Sequence, residues 1–225
     1  MLHVLFSALY PLNCLSCKTT LVRGEKEFCL GCLSGFKPLD FLAQDCNPIA
    51  QLFWGKASVY FATAVYDYIK SEKLSQLIHI FKYSGNKEIG FLFGEIMAEY
   101  FPQINALKDV DLVTFVPMHS KKKKKRGYNQ AEELANSFAK KINIPVKNLI
   151  FRTENTLTQT EKDVYGRFEN MLGKFNVFTF HKKLNHILII DDVITTGATL
   201  ISCVELLKEK YNCKVSVFTL AYRNL

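Results

Sequence analysis

No run in this chain approaches about 18 consecutive apolar residues, so no transmembrane helix is expected. The opening MLHVLFSALYPLNC is apolar but brief. It has no basic start and no small-residue cleavage site, so a signal peptide is not expected and the chain is read as cytoplasmic. Internal repeats are missing, and the one low-complexity tract is a run of five lysines. There is no G-x-G-x-x-G, which excludes the dinucleotide fingerprint, and no Lys-Ser/Thr follows Gly197, which excludes a P-loop there. Negative charge is the scarcer sign: 21 Asp and Glu stand against 29 Lys and Arg, for a formal net charge of +8 and a pI near 9.0. That balance favours anionic partners, whether nucleotides, nucleic acid or acidic membrane surfaces, without choosing among them.

What the chain does have is ordinary globular composition. Its 225 residues are 48% hydrophobic and 22% charged, enough for one sizeable core and a small appendage. The seven cysteines are odd in number and clustered: Cys14, Cys17, Cys29 and Cys32 lie close together, whereas Cys46, Cys203 and Cys213 are scattered. This argues for a reduced compartment and metal ligation over a disulfide framework. Cys14-Leu-Ser-Cys17 and Cys29-Leu-Gly-Cys32 are two CxxC pairs. Each can present two thiolates on one knuckle, and together they complete a tetrahedral zinc site whose closed shell makes the metal structural. The segment is too short for an apolar core of its own, so a metal staple is physically sensible.

The expected organisation is an N-terminal zinc finger and linker over residues 1–50, followed by an α/β domain over 51–225. Residues 34–55, with Pro38, Pro48 and Gly55, read as linker, and 56–68, rich in Val, Tyr, Phe and Thr, as a hairpin or paired strands. Helical spacing covers 73–82, 89–101, 131–141 and 200–210. Residues 111–118, ended by Pro117, and the final 214–221 read as strands.

The most informative stretch is HILIIDDVITTGATL, residues 186–200. Ile187 to Ile190 are four consecutive branched apolar residues, which suits a strand buried on both faces. Asp191 and Asp192 follow at its carboxyl end, where ligands bind in open α/β sheets and where empty carboxylates are expected to face solvent. Thr195, Thr196, Gly197, Ala198 and Thr199 then bring hydroxyls and backbone N–H groups to a helix start, a ready anion site. Gly197 is expected to let a phosphate approach the backbone with no side chain in the way. A phosphate would be repelled by the carboxylates, so these should meet paired hydroxyls or a metal. A receiver domain also has an Asp-Asp after an apolar run, but needs more strands than the 33 residues after Asp192 supply. The plainer alternative is a strand–turn–helix with a solvated acidic turn. The stretch closely resembles the phosphoribosyl pyrophosphate (PRPP) signature of type I phosphoribosyltransferases. The resemblance implies that Asp191 and Asp192 hold the ribose hydroxyls and that residues 195–199 cradle the 5′-phosphate.

A second stretch sits between strand and helix: His119-Ser120, five lysines at 121–125, then Arg126-Gly127-Tyr128-Asn129-Gln130. A lysine run alone is most simply a solvated charged loop. In this context, with Phe151-Arg152-Thr153, Thr156-Leu157-Thr158-Gln159, Arg167, Asn170 and the four N-terminal cysteines, the chain resembles ComF-type proteins, the competence-associated branch of the phosphoribosyltransferases. That resemblance implies a type I phosphoribosyltransferase-like, mostly parallel sheet with flanking helices. It implies a pyrophosphate loop with His119, Lys125 and Arg126, and a mobile loop with Arg152, Gln159 and Arg167. It also implies PRPP with magnesium, single-stranded DNA handling in natural transformation, and competence-machinery partners such as a helicase or recombination mediator. One departure is that the basic loop is nearly all lysine, a point charge where arginine would offer a bidentate fork. The alternative is a metabolic phosphoribosyltransferase acting on a base or amine. No residue is assigned as catalytic, and His3, His79, His181 and His186 are given no chemistry.

Overall fold

A computed structural model of the protein describes residues 12–25, 27–69, 72–153 and 174–224. Four strands, β1 (Phe61–Asp67), β2 (Leu112–Phe115), β5 (His186–Ile194) and β6 (Lys214–Tyr222), form a parallel sheet in the order β1-β6-β5-β2. Leu188 pairs with Ser216 on one side and Val113 on the other. The apolar runs of β5 and β6 are buried on both faces, as parallel strands covered by helices require. A two-stranded antiparallel pair, β3 (Ile150–Arg152) and β4 (Phe175–Val177), stands beside it.

The stretch expected as a hairpin is one strand, β1, parallel to β6 and extended by Tyr60 N–H donating to Val215 O at 2.8 Å. Aromatic and β-branched composition identifies a strand, but its partner lies some 150 residues away, beyond any local signal. Nor is the segment 34–55 a free linker. Phe36, Leu39, Leu42, Ile49, Ala50 and Phe53 are buried, and Leu39 N–H donates to Val65 O at 2.8 Å. Asn47 caps the short α2 (Pro48–Gln51), accepting from Ile49 and Ala50 N–H, and its Nδ2 reaches Ala62 O at 2.9 Å. The prolines there start and bound packed structure.

The expected helices are α3 (Glu72–Tyr83), α4 (Glu88–Tyr100), α6 (Gln130–Ile142) and α7 (Ala198–Tyr211). α6 has Asn129 at its N-cap, acidic Glu132 and Glu133 in its first turn and basic Lys140 and Lys141 in its last, so side chains offset its dipole at both ends. α4 packs tightly on α6 because Gly90 and Gly94 have no side chain: a Cβ at Gly94 would sit 2.6 Å from Ser137 Cβ. Behind α6, Phe138 meets Phe218 of the sheet edge-on at 5.9 Å.

The four finger cysteines come together. Their Sγ atoms lie within 4.8 Å of one another, with Cys17 and Cys29 at 3.6 Å. Tetrahedral zinc with bonds of about 2.3 Å needs sulfurs roughly 3.8 Å apart, so the cluster could hold zinc. The Thr19 hydroxyl and N–H draw Cys17 down to about 6. The Cys32 backbone favours the Cys29 thiolate, but partial burial and the neighbouring sulfurs carry Cys29 up to about 12. Four such sulfurs cannot all be thiolates without a cation among them, which is the donor chemistry a zinc ion fits. The finger is seated by short α1 (Leu30–Leu33), by Phe28 stacked on Phe93 of α4 at 6.1 Å, and by Asn86 Nδ2 donating to Glu27 at 2.8 Å.

Candidate functional site

The carboxyl ends of β2 and β5 open into a cleft of about 240 Å³. Its wall includes Asp191 and Asp192 of β5, Thr199 of α7, His119, Lys122 and Arg126, Arg152 of β3, Phe175 of β4, and Lys82 of α3. A smaller hollow of about 80 Å³ adjoins it, lined by Asp191 and residues 193–200, so Asp191 and Thr199 border both. Residues separated by more than 100 positions thus face one space.

β5 runs on to Ile194, so the acidic pair belongs to the strand itself: Asp191 is in register with Thr219. The carboxylates do not simply face solvent. Asp192 Oδ2 lies 3.0 Å from Lys82 Nζ, and Asp192 Oδ1 accepts from Val193 N–H at 2.7 Å. Asp191 Oδ1 accepts from Asp192 N–H at 2.9 Å. Burial first, and the neighbouring charge of Asp192 second, raise the Asp191 carboxyl well above its usual range. Two adjacent oxygen-donor carboxylates, served by a single ammonium between them, fit a hard divalent cation such as magnesium.

Thr195 and Thr199 are half-buried, Thr196 is exposed, and Thr196 Oγ1 lies 3.5 Å from Ala198 N. Gly197 sits in the left-handed region at φ 72°, ψ −2° and begins α7. A Cβ there would meet Leu52 Cβ at 3.5 Å and Ile194 and Ile201 at 3.8 Å. It would point into the core, so the expected reason for this glycine is corrected: the backbone angle demands it, not a clear path for phosphate.

The basic stretch, expected as a loop, is the helix α5 (Ser120–Arg126). His119 caps it, its Nδ1 accepting from Lys121 N–H at 3.1 Å, and Gly127 ends it at φ 82°. With Nδ1 an acceptor, the neutral ring carries its proton on Nε2. Lysines gathered toward a helix C-terminus are favoured by the dipole, which offsets their mutual repulsion. Lys122 and Arg126 line the cleft and Lys125 is not part of its lining; all five lysines are exposed.

Arg126 is held in place by two side chains. Its Nη1 donates to Gln130 Oε1 at 3.0 Å, its Nη2 lies 3.4 Å from Tyr83 OH, and its guanidinium sits 5.0 Å from the Tyr83 ring centroid. Gln130 is buried, and its Nε2 has no partner among the described residues. Arg152 lies over the Phe175 ring at 5.0 Å. Gln159 and Arg167 lie outside the described residues. Lys82 and Tyr83 were not singled out from sequence, whereas Lys122 and Gln130 lay inside the basic stretch and the RGYNQ run without a role of their own. Nothing local marks Lys82. His186 is at the opposite end of the sheet, buried, 2.7 Å from Ser216 Oγ, and pushed down to about 4 by burial. It is a neutral core histidine.

Over nearly its whole length the chain is similar to Competence protein F of Haemophilus influenzae, 26% identical over 230 residues, covering 94% of this chain and 97% of the relative. It is also similar to DNA utilization protein YhgH of Escherichia coli, 24% identical over 222 residues, with 93% and 96% covered. Competence protein ComFC of Bacillus subtilis is 26% identical over 210 residues, with 92% and 82% covered. Among the described residues no helix is long and apolar enough to cross a membrane. Residues 89–224, which hold the acidic pair, the threonine loop and the basic helix, match the phosphoribosyl transferase domain, and the chain belongs to that family.

Proposed function

We infer that this protein binds PRPP in the cleft and acts in the cytoplasm in DNA uptake during natural transformation, handling single-stranded DNA. The observation that carries the reading is the set of charges gathered in two adjoining spaces: Arg126, Lys122 and His119 line the cleft together with Asp191 and Asp192, and the threonine loop lines the hollow that shares Asp191 and Thr199 with it. PRPP has the matching groups, a diphosphate, a diol and a 5′-phosphate. Asp191 and Asp192 take the ribose hydroxyls, residues 195–199 the 5′-phosphate, and His119, Lys122 and Arg126 the diphosphate. Lys125 and its neighbours on the outer face of α5 are left for DNA phosphates. Magnesium, held through Asp191 and Asp192, would neutralise diphosphate and ribose oxygens. Arg152 stands at the rim, and with Gln159 and Arg167 it is assigned to a segment that closes over the ligand and excludes water. The finger in residues 1–50 acts as a staple for the site-bearing part, 51–225. Relatives named for competence and DNA utilization support the cellular role.

A second reading, transfer of ribosyl 5-phosphate to a base or amine, draws support from an adjoining cavity of about 260 Å³. It shares Met118, His119 and Arg152 with the cleft and adds Phe151 and Asn148, an apolar face with a polar edge. Calorimetric titration tests the common part. A double Asp191→Asn, Asp192→Asn variant should bind PRPP at least about tenfold more weakly, since hydrogen bonds to charged acceptors are worth roughly 1.5–3 kcal/mol each. Free pyrophosphate should be little affected. Unchanged PRPP affinity would end the reading. Pyrophosphate release from PRPP and magnesium with a panel of bases and amines, with and without single-stranded DNA, separates the two roles. Changing residues 121–125 to Gln should flatten the salt dependence of DNA binding.

A further inference from the structure

Lys82 is the penultimate residue of α3. Leu74, Leu77, Ile78 and Phe81 fix that helix in the core, and the residue next to Phe81 is thereby delivered to the cleft wall. Its Nζ lies 3.0 Å from Asp192 Oδ2, with the two side chains only 23% and 15% exposed. A pair this enclosed is screened by salt far less than a surface pair. The cleft lining therefore carries two carboxylates and one built-in cation, at the place assigned to the ligand's diol or its metal.

We propose that Lys82 is a ligand-responsive counter-ion: its ammonium occupies the Asp192 carboxylate in the empty site and moves to the diphosphate when a phosphorylated sugar enters with a divalent cation. The proposal rests on the reading that Asp191 and Asp192 hold the ribose. A divalent cation arriving alone must displace the ammonium from Asp192 and leave it without a partner. A diphosphate brings its own negative charge, and Lys82 shares the cleft wall with Arg126 and Lys122, which are assigned to that diphosphate. The exchange trades one ion pair for another. The free energy of binding the cation and that of binding the phosphorylated sugar are then coupled, each favouring the other. Lys82 thereby sets specificity: the acidic pair rejects bare cations and accepts a cation together with its anionic ligand.

The test is Mn²⁺ binding to the full-length, zinc-loaded protein by electron paramagnetic resonance, paired with calorimetry of PRPP in magnesium. Lys82→Gln should bind Mn²⁺ alone about fivefold more tightly than wild type, the size expected for removing one competing partner of a partly enclosed pair. It should bind PRPP more weakly by a similar factor. Lys82→Arg, which keeps the charge, should leave Mn²⁺ binding weak. A merely structural ion pair predicts weaker binding of both ligands, or no change in either, and either result overturns the proposal. Independently of any variant, the side-chain amine resonance of Lys82 in wild-type protein must shift when PRPP and magnesium are added together and stay fixed with magnesium alone. The same shift with magnesium alone overturns it. If the paired Asp→Asn variant binds PRPP normally, the reading of the cleft fails. If that variant loses PRPP but Lys82→Gln leaves Mn²⁺ binding unchanged, this inference fails alone.

Discussion

Replacing Gly197 with Ala isolates the backbone demand at the start of α7. Gly197 has φ 72° and ψ −2°, a region that costs a residue with a side chain about 1–2 kcal/mol. The added methyl would meet Leu52, Ile194 and Ile201 at 3.5–3.8 Å, which is ordinary contact, so no clash enters the sum. Restricting the unfolded chain returns about 0.4–1 kcal/mol. The net cost is about 1 kcal/mol, which lowers the melting temperature of a chain this size by about 2–4 °C. The ligand effect should be larger than the stability effect. Strain at Gly197 relaxes by rotating φ, and that rotation displaces Ala198 and Thr199, which border the hollow. Affinity for ribose 5-phosphate should fall about tenfold. The assays are thermal unfolding and calorimetric titration with ribose 5-phosphate. A drop in melting temperature beyond about 8 °C would mean that crowding, not φ, dominates. Unchanged ribose 5-phosphate affinity in a destabilised variant would mean that the loop is not a phosphate cradle.

Three further outcomes follow from packing and charge. The folded-state pKa of Asp191 is raised, so its contribution to stability is full below its ordinary value of 3.8 and is lost as pH rises through the raised value. Asp191→Asn keeps an acceptor for Asp192 N–H and should melt above wild type near neutrality, with a flatter profile above pH 3.8; an identical profile refutes the assignment. Gly94→Ala would place a methyl 2.6 Å from Ser137 Cβ and 2.7 Å from Leu134 O on α6, so it should cost about 2–3 kcal/mol in urea unfolding. A loss below about 0.5 kcal/mol would show that the helices part easily. Purified protein should carry about one zinc per chain by elemental analysis, and Cys29→Ser should lose most of it and release Phe28 from Phe93. Full stability after chelation would remove the finger's structural role.

Much of this was legible because the signals are local. Four branched apolar residues followed by Asp191-Asp192 and a threonine loop ending in Gly197 specify strand, turn and helix within one short window. CxxC spacing likewise specifies a knuckle. Hydrophobic periodicity located α3, α4, α6 and α7 to within a few residues. These are short-range consequences of backbone hydrogen bonding and side-chain patterning.

Where a signal depended on partners far along the chain, sequence reading failed. Residues 61–67 were legible as strand but not as the partner of residues 216–222. Residues 34–55 looked like a linker because Pro and Gly punctuate them, yet long-range burial holds Phe36, Leu39 and Phe53 in the core. The five lysines repel one another as a free loop but stand as a helix once His119 and Gly127 cap it and Glu132 offers Lys123 a partner at 3.2 Å. Sequence alone determined that the chain carries an acidic pair, a threonine loop, a basic run and four cysteines. Only the tertiary structure decided that the first three line one cleft and the hollow adjoining it, that Gly197 answers to φ, and that Lys82 reaches Asp192 from 110 residues away. Packing a helix across a sheet edge sets such distances, and no spacing within the sequence encodes them.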